Sequence, residues 1–222
     1  MEDHTRGSVE DNQVSEEEHS VINPAILYWG TPVVLITTLN EDGSPNIAPM
    51  SSAFWLGNFC VLGLAKYSKT TANLLRTKQC VLNLPSEDGA QYVNAIARTT
   101  GSDPVPERKI NLGYTHLKDK FGAAGLTQQD SDLVAPPRIK QCPVQMEAEY
   151  LNELDMGFAV VIQVVVRRIH VIDKLRLPGH ANRIDANSWK PLIMSFQKLY
   201  GLRSGEVLDS RLAEINEELY RR

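Results

Sequence analysis

The sequence has little cysteine, no paired metal-ligand spacing, no bilayer-length apolar run and no large excess of one charge, and each lack removes a class of function. Its three cysteines, Cys60, Cys80 and Cys142, are widely spaced and form no CxxC pair, which excludes a disulfide framework and a zinc finger. They read as buried structural thiols in a reducing cytoplasm, because a free cysteine packs as a small hydrophobe. The five histidines, His4, His19, His116, His170 and His180, fall into no HxxxH or HExxH spacing, so no metal site is expected. Apolar runs such as 158–166 are too short to span a bilayer, and the N-terminus lacks a basic-then-apolar leader. A cytoplasmic protein without a membrane partner is expected.

The formal charge of -4 is unevenly placed. Residues 1–20 hold seven acids and one base, leaving 22 bases against 20 acids over the rest of the chain. That near-neutral body lacks the one-sided basic excess and the interleaved aromatics of a nucleic-acid binder. The usual catalytic signatures are missing too: no GxGxxG, no GxxxxGK[ST], no GxSxG and no paired carboxylates on matching strands. Small molecules and protein partners are the expected ligands.

What is present is β pattern. Residues 1–20 have too few apolar side chains to offset the entropy of ordering and read as a disordered acidic tail, so the folded domain spans 21–222. Residues 33–39 (VVLITTL) are β-branched and continuously apolar and run into the turn signal Asn40-Glu41-Asp42-Gly43, which predicts a central strand with a return strand over 46–50. Residues 59–64 (FCVLGL) and 80–84 (CVLNL) predict two more strands, with a helix over 68–76 capped by Thr70 or Thr71. Residues 144–150 (VQMEAEY) alternate as a strand with one wet face, 158–171 supply one long strand or two, and 192–196 add the last. Residues 89–97 and 107–121 have helical character, the second closed by Gly122 and Gly125. Leu208, Leu212, Ile215 and Leu219 predict a C-terminal amphipathic helix.

Six to eight short strands without regular βαβ alternation predict a mainly β fold, an antiparallel barrel with peripheral helices. Such a barrel has little interior room, so a sizeable ligand is expected at its rim or between two copies.

Two clusters of small hydroxyl and amide residues carry what chemistry there is. Ser68-Lys69-Thr70-Thr71-Ala72-Asn73 opens a helix with three hydroxyls, an ammonium and free backbone N–H groups, a phosphate cradle that needs no Walker motif. The plainer reading is an N-cap beside a solvated lysine. GSPNIAPMSSAF, at 43–54, interrupts a strand with Pro45 and Pro49, which cannot donate to a ladder and leave backbone free to meet something else. Trp55 could stack on a flat ring, although a tryptophan after a strand is more often plain core or interface.

Taken together the segments PVVLITT (32–38), DGSPNIAPMSS (42–52), SKTTANL (68–74) and VLNLP (81–85), followed by AGLT (124–127), PPRI (136–139) and VQMEAE (144–149), resemble the flavin reductase-like, FMN-binding split-barrel family over about 21–200. The resemblance implies a Greek-key split β-barrel that forms a homodimer and binds FMN near the dimer interface. Carried over onto matching positions, it assigns the phosphate to Ser51, Ser52, Lys69, Thr70, Thr71 and Asn73. It assigns the isoalloxazine to Asn46, Ala48, Pro49 and Met50, with Trp55 as a ring contact. The implied activity is hydride transfer from NADH or NADPH to flavin, bound or delivered to a partner flavin-dependent monooxygenase. The cofactor would supply the chemistry, so no catalytic dyad is required.

Two departures stand out. Val161-Ile162-Gln163-Val164 stands where many members carry a V-I-G-E-V segment, and Ser195-Phe196 precede Tyr200 where many carry a glycine pair. The second alters the wall over the flavin, which leaves open an FMN enzyme acting on an organic substrate in a specialised pathway. A non-catalytic flavin or haem carrier is the alternative from another class.

Overall fold

The computed structural model describes residues 18–202 together with Ser210 and Asn216. The expected acidic tail lies outside the described residues except for 18–20, and the expected C-terminal helix lies outside them except for the single positions Ser210 and Asn216.

In chain order the first elements are β1 (Trp29–Pro32), β2 (Val34–Leu39), β3 (Pro45–Met50), β4 (Ala53–Leu56), β5 (Phe59–Ala65), α1 (Lys69–Thr77) and β6 (Gln79–Leu84). A small layer follows, made of α2 (Ala90–Ile96), β7 (Thr99–Thr100), α3 (Glu107–Asn111), β8 (Thr115–His116), α4 (Lys120–Ala124), β9 (Gln128–Gln129) and β10 (Arg138–Ile139). Two long strands, β11 (Val144–Asp155) and β12 (Ala159–Val171), precede the short β13 (Ile193–Ser195) and β14 (Lys198–Tyr200).

Seven strands form one antiparallel sheet in the order β3-β2-β6-β11-β12-β5-β4. Its two outermost strands, β3 and β4, are consecutive in the chain and separated by Ser51-Ser52 alone, so the sheet comes round on itself at that dipeptide. The seam is held by the Gly63 N–H, which donates to the Ser52 carbonyl at 2.8 Å. A Cβ on Gly63 would stand 3.0 Å from that of Ser52, so the absence of a side chain permits the approach. Strands from both ends of the sheet share one core, including Val34, Ile36, Ala53, Leu62, Leu82, Ala148 and Ile162, which α1 plugs with Leu74. The fold is a split barrel.

The continuous apolar run of β2 has a direct cause. Val34 and Ile36 face the barrel interior, whereas Val33 and Leu35 face an outer layer with Val93 and Ile96 of α2 and Phe121 and Ala124 of α4. Burial of each such side chain stabilises by roughly 1.5–3 kcal/mol. Cys60, Cys80 and Cys142 are buried free thiols. Burial pushes Cys60 and Cys142 up from the ordinary 9.0 to about 12, which makes them poor nucleophiles.

Three expectations are corrected. The face of β11 expected to be wet is covered by the 130–139 loop, against which Gln145 and Glu147 are buried. Strand alternation alone cannot show that a loop returns over the polar face. The expected helix over 107–121 is two short helices, α3 and α4, separated where Gly113 adopts φ 75° and Tyr114 and Thr115 turn back into the structure. The cap of α1 is Ser68, since its Oγ accepts from the Thr71 N–H at 3.1 Å while Thr70 and Thr71 lie inside the helix.

Candidate functional site

Helix α1 starts against β3, and a buried amide network fixes the two together. Asn46 Nδ2 donates to Thr70 Oγ1 at 3.1 Å, and Asn73 Nδ2 donates to Thr38 Oγ1 at 3.2 Å and to Asn40 Oδ1 at 2.9 Å. The Thr71 hydroxyl is turned back onto the Ala65 carbonyl at 2.9 Å and lies 2.8 Å from Ser68 Oγ. Asn46 Oδ1 and Asn73 Oδ1 are buried without a hydrogen-bond partner. An unmet buried carbonyl costs about 1–3 kcal/mol, so such a group in a cavity wall is a place where a ligand donor is favoured.

Asn46 lies in the wall of an open-mouthed cavity of about 210 Å³. One side is β3, with Ala48, Pro49 and Met50, and another is the end of β5, with Gly63 to Ala65. The start of α1 contributes Ser68, Lys69 and Thr70, and the outer layer contributes Thr99, Thr100, Gly101, Lys109, Tyr114 and Lys120. Pro49 sits where β3 pairs on one side alone, with β2, which is where a residue without an N–H is tolerated.

The cavity is cationic. Three lysines line it and no carboxylate does. Lys69 is tied from behind by Glu41 at 2.5 Å, and the acids Glu41, Asp42 and Asp103 line a separate hollow on that far side. Lys120 is 3% exposed, with its Nζ donating to the Ile47 carbonyl at 2.8 Å. Burial, and then the charge of Lys109, pull it down from 10.5 to about 8. Lys109 is lowered by burial as well, and its Nζ donates to Thr100 Oγ1 at 3.1 Å.

A larger cavity of about 700 Å³ lies between the ends of β6, β11 and β12 and the 181–189 loop, lined by Leu84, Met146, Val171 and Trp189 with Arg176 and Arg183. Arg176 is paired with Asp173 at 3.0 Å and Arg183 donates to Asn216 Oδ1 at 3.0 Å, so both of its arginines are engaged with the protein itself. The smaller cavity has the unmet polar atom and the unpaired charges, and chemistry outranks volume here. Asp132, Glu147 and His170 bring three ligand-type atoms within 4.8 Å. Glu147 Oε1 already accepts from the Asp132 N–H at 2.9 Å and from His170 Nε2 at 2.7 Å, and Oε2 from the Leu133 and Val134 N–H groups at 2.6 and 3.2 Å. With its acceptor positions filled, the carboxylate acts as a structural pin rather than a metal ligand.

Of the residues singled out in the sequence, Asn46, Ala48, Pro49, Met50, Lys69 and Thr70 line the cavity together. Ser51 and Ser52 form the barrel seam beside it, where Ser52 Oγ also donates to Tyr28 Oη at 3.1 Å. Thr71 and Asn73 stand behind the wall, in the network that holds α1. Trp55 is placed elsewhere: it packs against both the barrel core and the Leu84, Val144 and Leu175 cluster. The outer-layer wall, above all Lys109 and Lys120, was not apparent from the sequence. A single helix over 107–121 would have put the two on one face but about three turns, roughly 16 Å, apart, and the Gly113 break that folds the segment back was the available signal.

The model of the flavin reductase like domain matches residues 28–202. YdfE, an uncharacterized protein of Bacillus subtilis (strain 168), is 42% identical over 185 residues, which cover 82% of this chain and 88% of that protein. Among solved structures, flavoredoxin of Desulfovibrio vulgaris (Miyazaki F) superposes with a TM-score of 0.73 at 18% identity, covering 89% of this chain and 98% of that one. Nitrilotriacetate monooxygenase component B from Bacillus cereus superposes with a TM-score of 0.67 at 20% identity, covering 88% and 100%. With the match running from the strand β1 to the end of the described domain, and the seam and helix-start motifs inside it, this chain belongs to the flavin reductase-like domain family.

Proposed function

We propose that this protein binds FMN in the cavity between β3 and the start of α1 and uses it as an oxidoreductase of flavin reductase type, taking a hydride from NADH or NADPH. The observation that carries the reading is the carboxylate-free, three-lysine cavity with the unmet Asn46 Oδ1 in its wall. These residues fit the group. Ser68, Lys69, Thr70 and the first N–H groups of α1 would hold a phosphate, because a helix start favours an anion. Ala48, Pro49 and Met50 would lie along a flat ring, and Asn46 Oδ1 would accept from a donor on the ligand. The isoalloxazine, when bound, supplies the hydride chemistry.

A volume of about 210 Å³ is below the roughly 300–1,000 Å³ of sites that enclose a whole ligand. One chain therefore covers part of an FMN molecule, which supports a homodimer in which a second copy closes the site. Tyr67, Leu154, Met156 and Phe158 are exposed apolar side chains near the Lys66–Asp155 ion pair and are available to such a contact.

The test is anaerobic mixing of the purified flavin-loaded protein with NADH and with NADPH. Bleaching of the flavin bands by either donor is the expected result, and oxidised flavin that persists with both would sink the reductase reading. A second reading, reduction of an organic substrate, is favoured by one observation. Phe196, held at φ 53° and packed edge-on against Trp29 at 4.6 Å, has its N–H bonded to the Tyr28 carbonyl, and Tyr28 in turn meets Ser52 at the seam. An aromatic wall there would select what reaches the cofactor.

A further inference from the structure

Lys109 and Lys120 are the unexplained part of the cavity. Neither makes an ion pair with a described carboxylate, and Lys109 and Lys120 each have a single hydrogen-bond acceptor, Thr100 Oγ1 and the Ile47 carbonyl. A buried ammonium with three donors and one acceptor is costly, and a second lysine beside it raises the cost through like-charge repulsion. The arrangement is relieved when negative charge enters the cavity. The start of α1, with Ser68, Lys69 and Thr70, already answers to a phosphate. Lys120 is anchored instead on Ile47, midway along β3, next to the small Ala48-Pro49-Met50 surface that suits a flat ring.

Resting on the flavin reading above, we propose that Lys120, assisted by Lys109, is a positioning residue whose charge favours the reduced, anionic isoalloxazine over the neutral oxidised one and so sets the potential of the bound cofactor. The balance is simple. A hydride from the nicotinamide carries two electrons and one proton to the neutral ring, which gains one hydrogen and one negative charge while the nicotinamide becomes the oxidised pyridinium. The ammonium of Lys120 acts on the charge that appears, and it neither gives nor takes a bond.

The experiment uses the full chain reconstituted with FMN, as wild type, Lys120→Gln, Lys120→Arg and Lys109→Gln. Midpoint potentials are read by equilibration with reference dyes, and affinities for oxidised FMN and for riboflavin are read from flavin fluorescence quenching. Lys120→Gln is expected to lower the preference for reduced over oxidised flavin about tenfold, a potential about 30 mV more negative, and Lys120→Arg to restore most of it. Lys109→Gln, half-buried and tolerant of the change, is expected to shift the preference about threefold in the same direction. An unchanged potential in both glutamine variants overturns the proposal. So does loss of oxidised FMN affinity with riboflavin affinity intact, which would make Lys120 a phosphate ligand. Should Lys120→Gln fail to fold, an unshifted potential in Lys109→Gln is sufficient to overturn it. A wild-type protein that takes up no FMN refutes the flavin reading itself and is seen before any variant is compared.

Discussion

Gly101→Val is expected to block the cavity proposed to hold FMN while leaving the barrel folded. A Cβ at this position would stand 2.7 Å from Asn46 Oδ1 and 3.1 Å from Lys69 Cγ, and both residues line the cavity. The first contact is with an amide fixed by Thr70, so it cannot move without breaking the network that positions α1. The two methyl groups of valine would add to the obstruction in a space of about 210 Å³. Overpacking costs about 1–3 kcal/mol of folding stability, and loss of the ligand hydrogen bond to Asn46 costs about 1–3 kcal/mol of binding, so FMN affinity should fall by roughly 5- to 150-fold from that bond alone. Gly101 belongs to neither hydrophobic cluster of the barrel or outer layer, and strain of that size should lower the thermal midpoint by roughly 2–12 °C without unfolding the domain. The check is a fluorescence titration with FMN beside a thermal melt. Wild-type affinity in Gly101→Val would show that the ligand sits elsewhere.

Glu147→Ala is expected to be the most destabilising single change. The carboxylate is fully buried and is the acceptor for the N–H groups of Asp132, Leu133 and Val134 and for His170. Truncation strands four donors under the 130–139 loop. Breaking a buried charged network by removing one member costs about 3–5 kcal/mol, against a total stability of roughly 5–15 kcal/mol for a domain. For a chain of this size each kcal/mol lowers the midpoint by about 2–4 °C. Burial pushes the Glu147 carboxyl up, but the Asp132 and Leu133 N–H groups and His170 outweigh it and hold the group below its ordinary 4.5. A depressed carboxyl contributes stability that is present above pH 4.5 and is lost as pH falls through the folded value. Wild type should therefore lose more stability on acidification than Glu147→Ala does, as read from denaturant unfolding at pH 7 and pH 4. Equal losses would contradict the assignment of Glu147 as a charged pin.

The fold was legible in the strands because local pattern and tertiary role agree there. The run 33–39 is apolar at every core position since β2 is covered on both faces, and the Asn40 to Gly43 turn leads into β3 as expected. The seam residues Ser51-Ser52 also carried a signal, in that small side chains are what a closing barrel edge and a neighbouring cavity both require. Legibility failed where a side chain's surroundings come from distant sequence. Glu147 looks solvated within VQMEAEY and is buried by a loop that precedes it by a dozen residues. Lys120 looks like an exposed lysine between Asp119 and Phe121, yet the α4 start aims it beneath β3. Trp55 could stack on a flat ring but is the kind of residue more often found in core or interface, and here it packs against the barrel core and the Leu84 cluster.

What the cavity binds decides whether the start of α1 is a phosphate site. Titrating the purified full-length protein, stripped of any bound small molecule, with FMN should give saturable quenching at one FMN per chain, with riboflavin bound more weakly because it lacks the phosphate that the α1 start would hold. A protein that takes up no FMN, or that binds FMN and riboflavin equally, would contradict it.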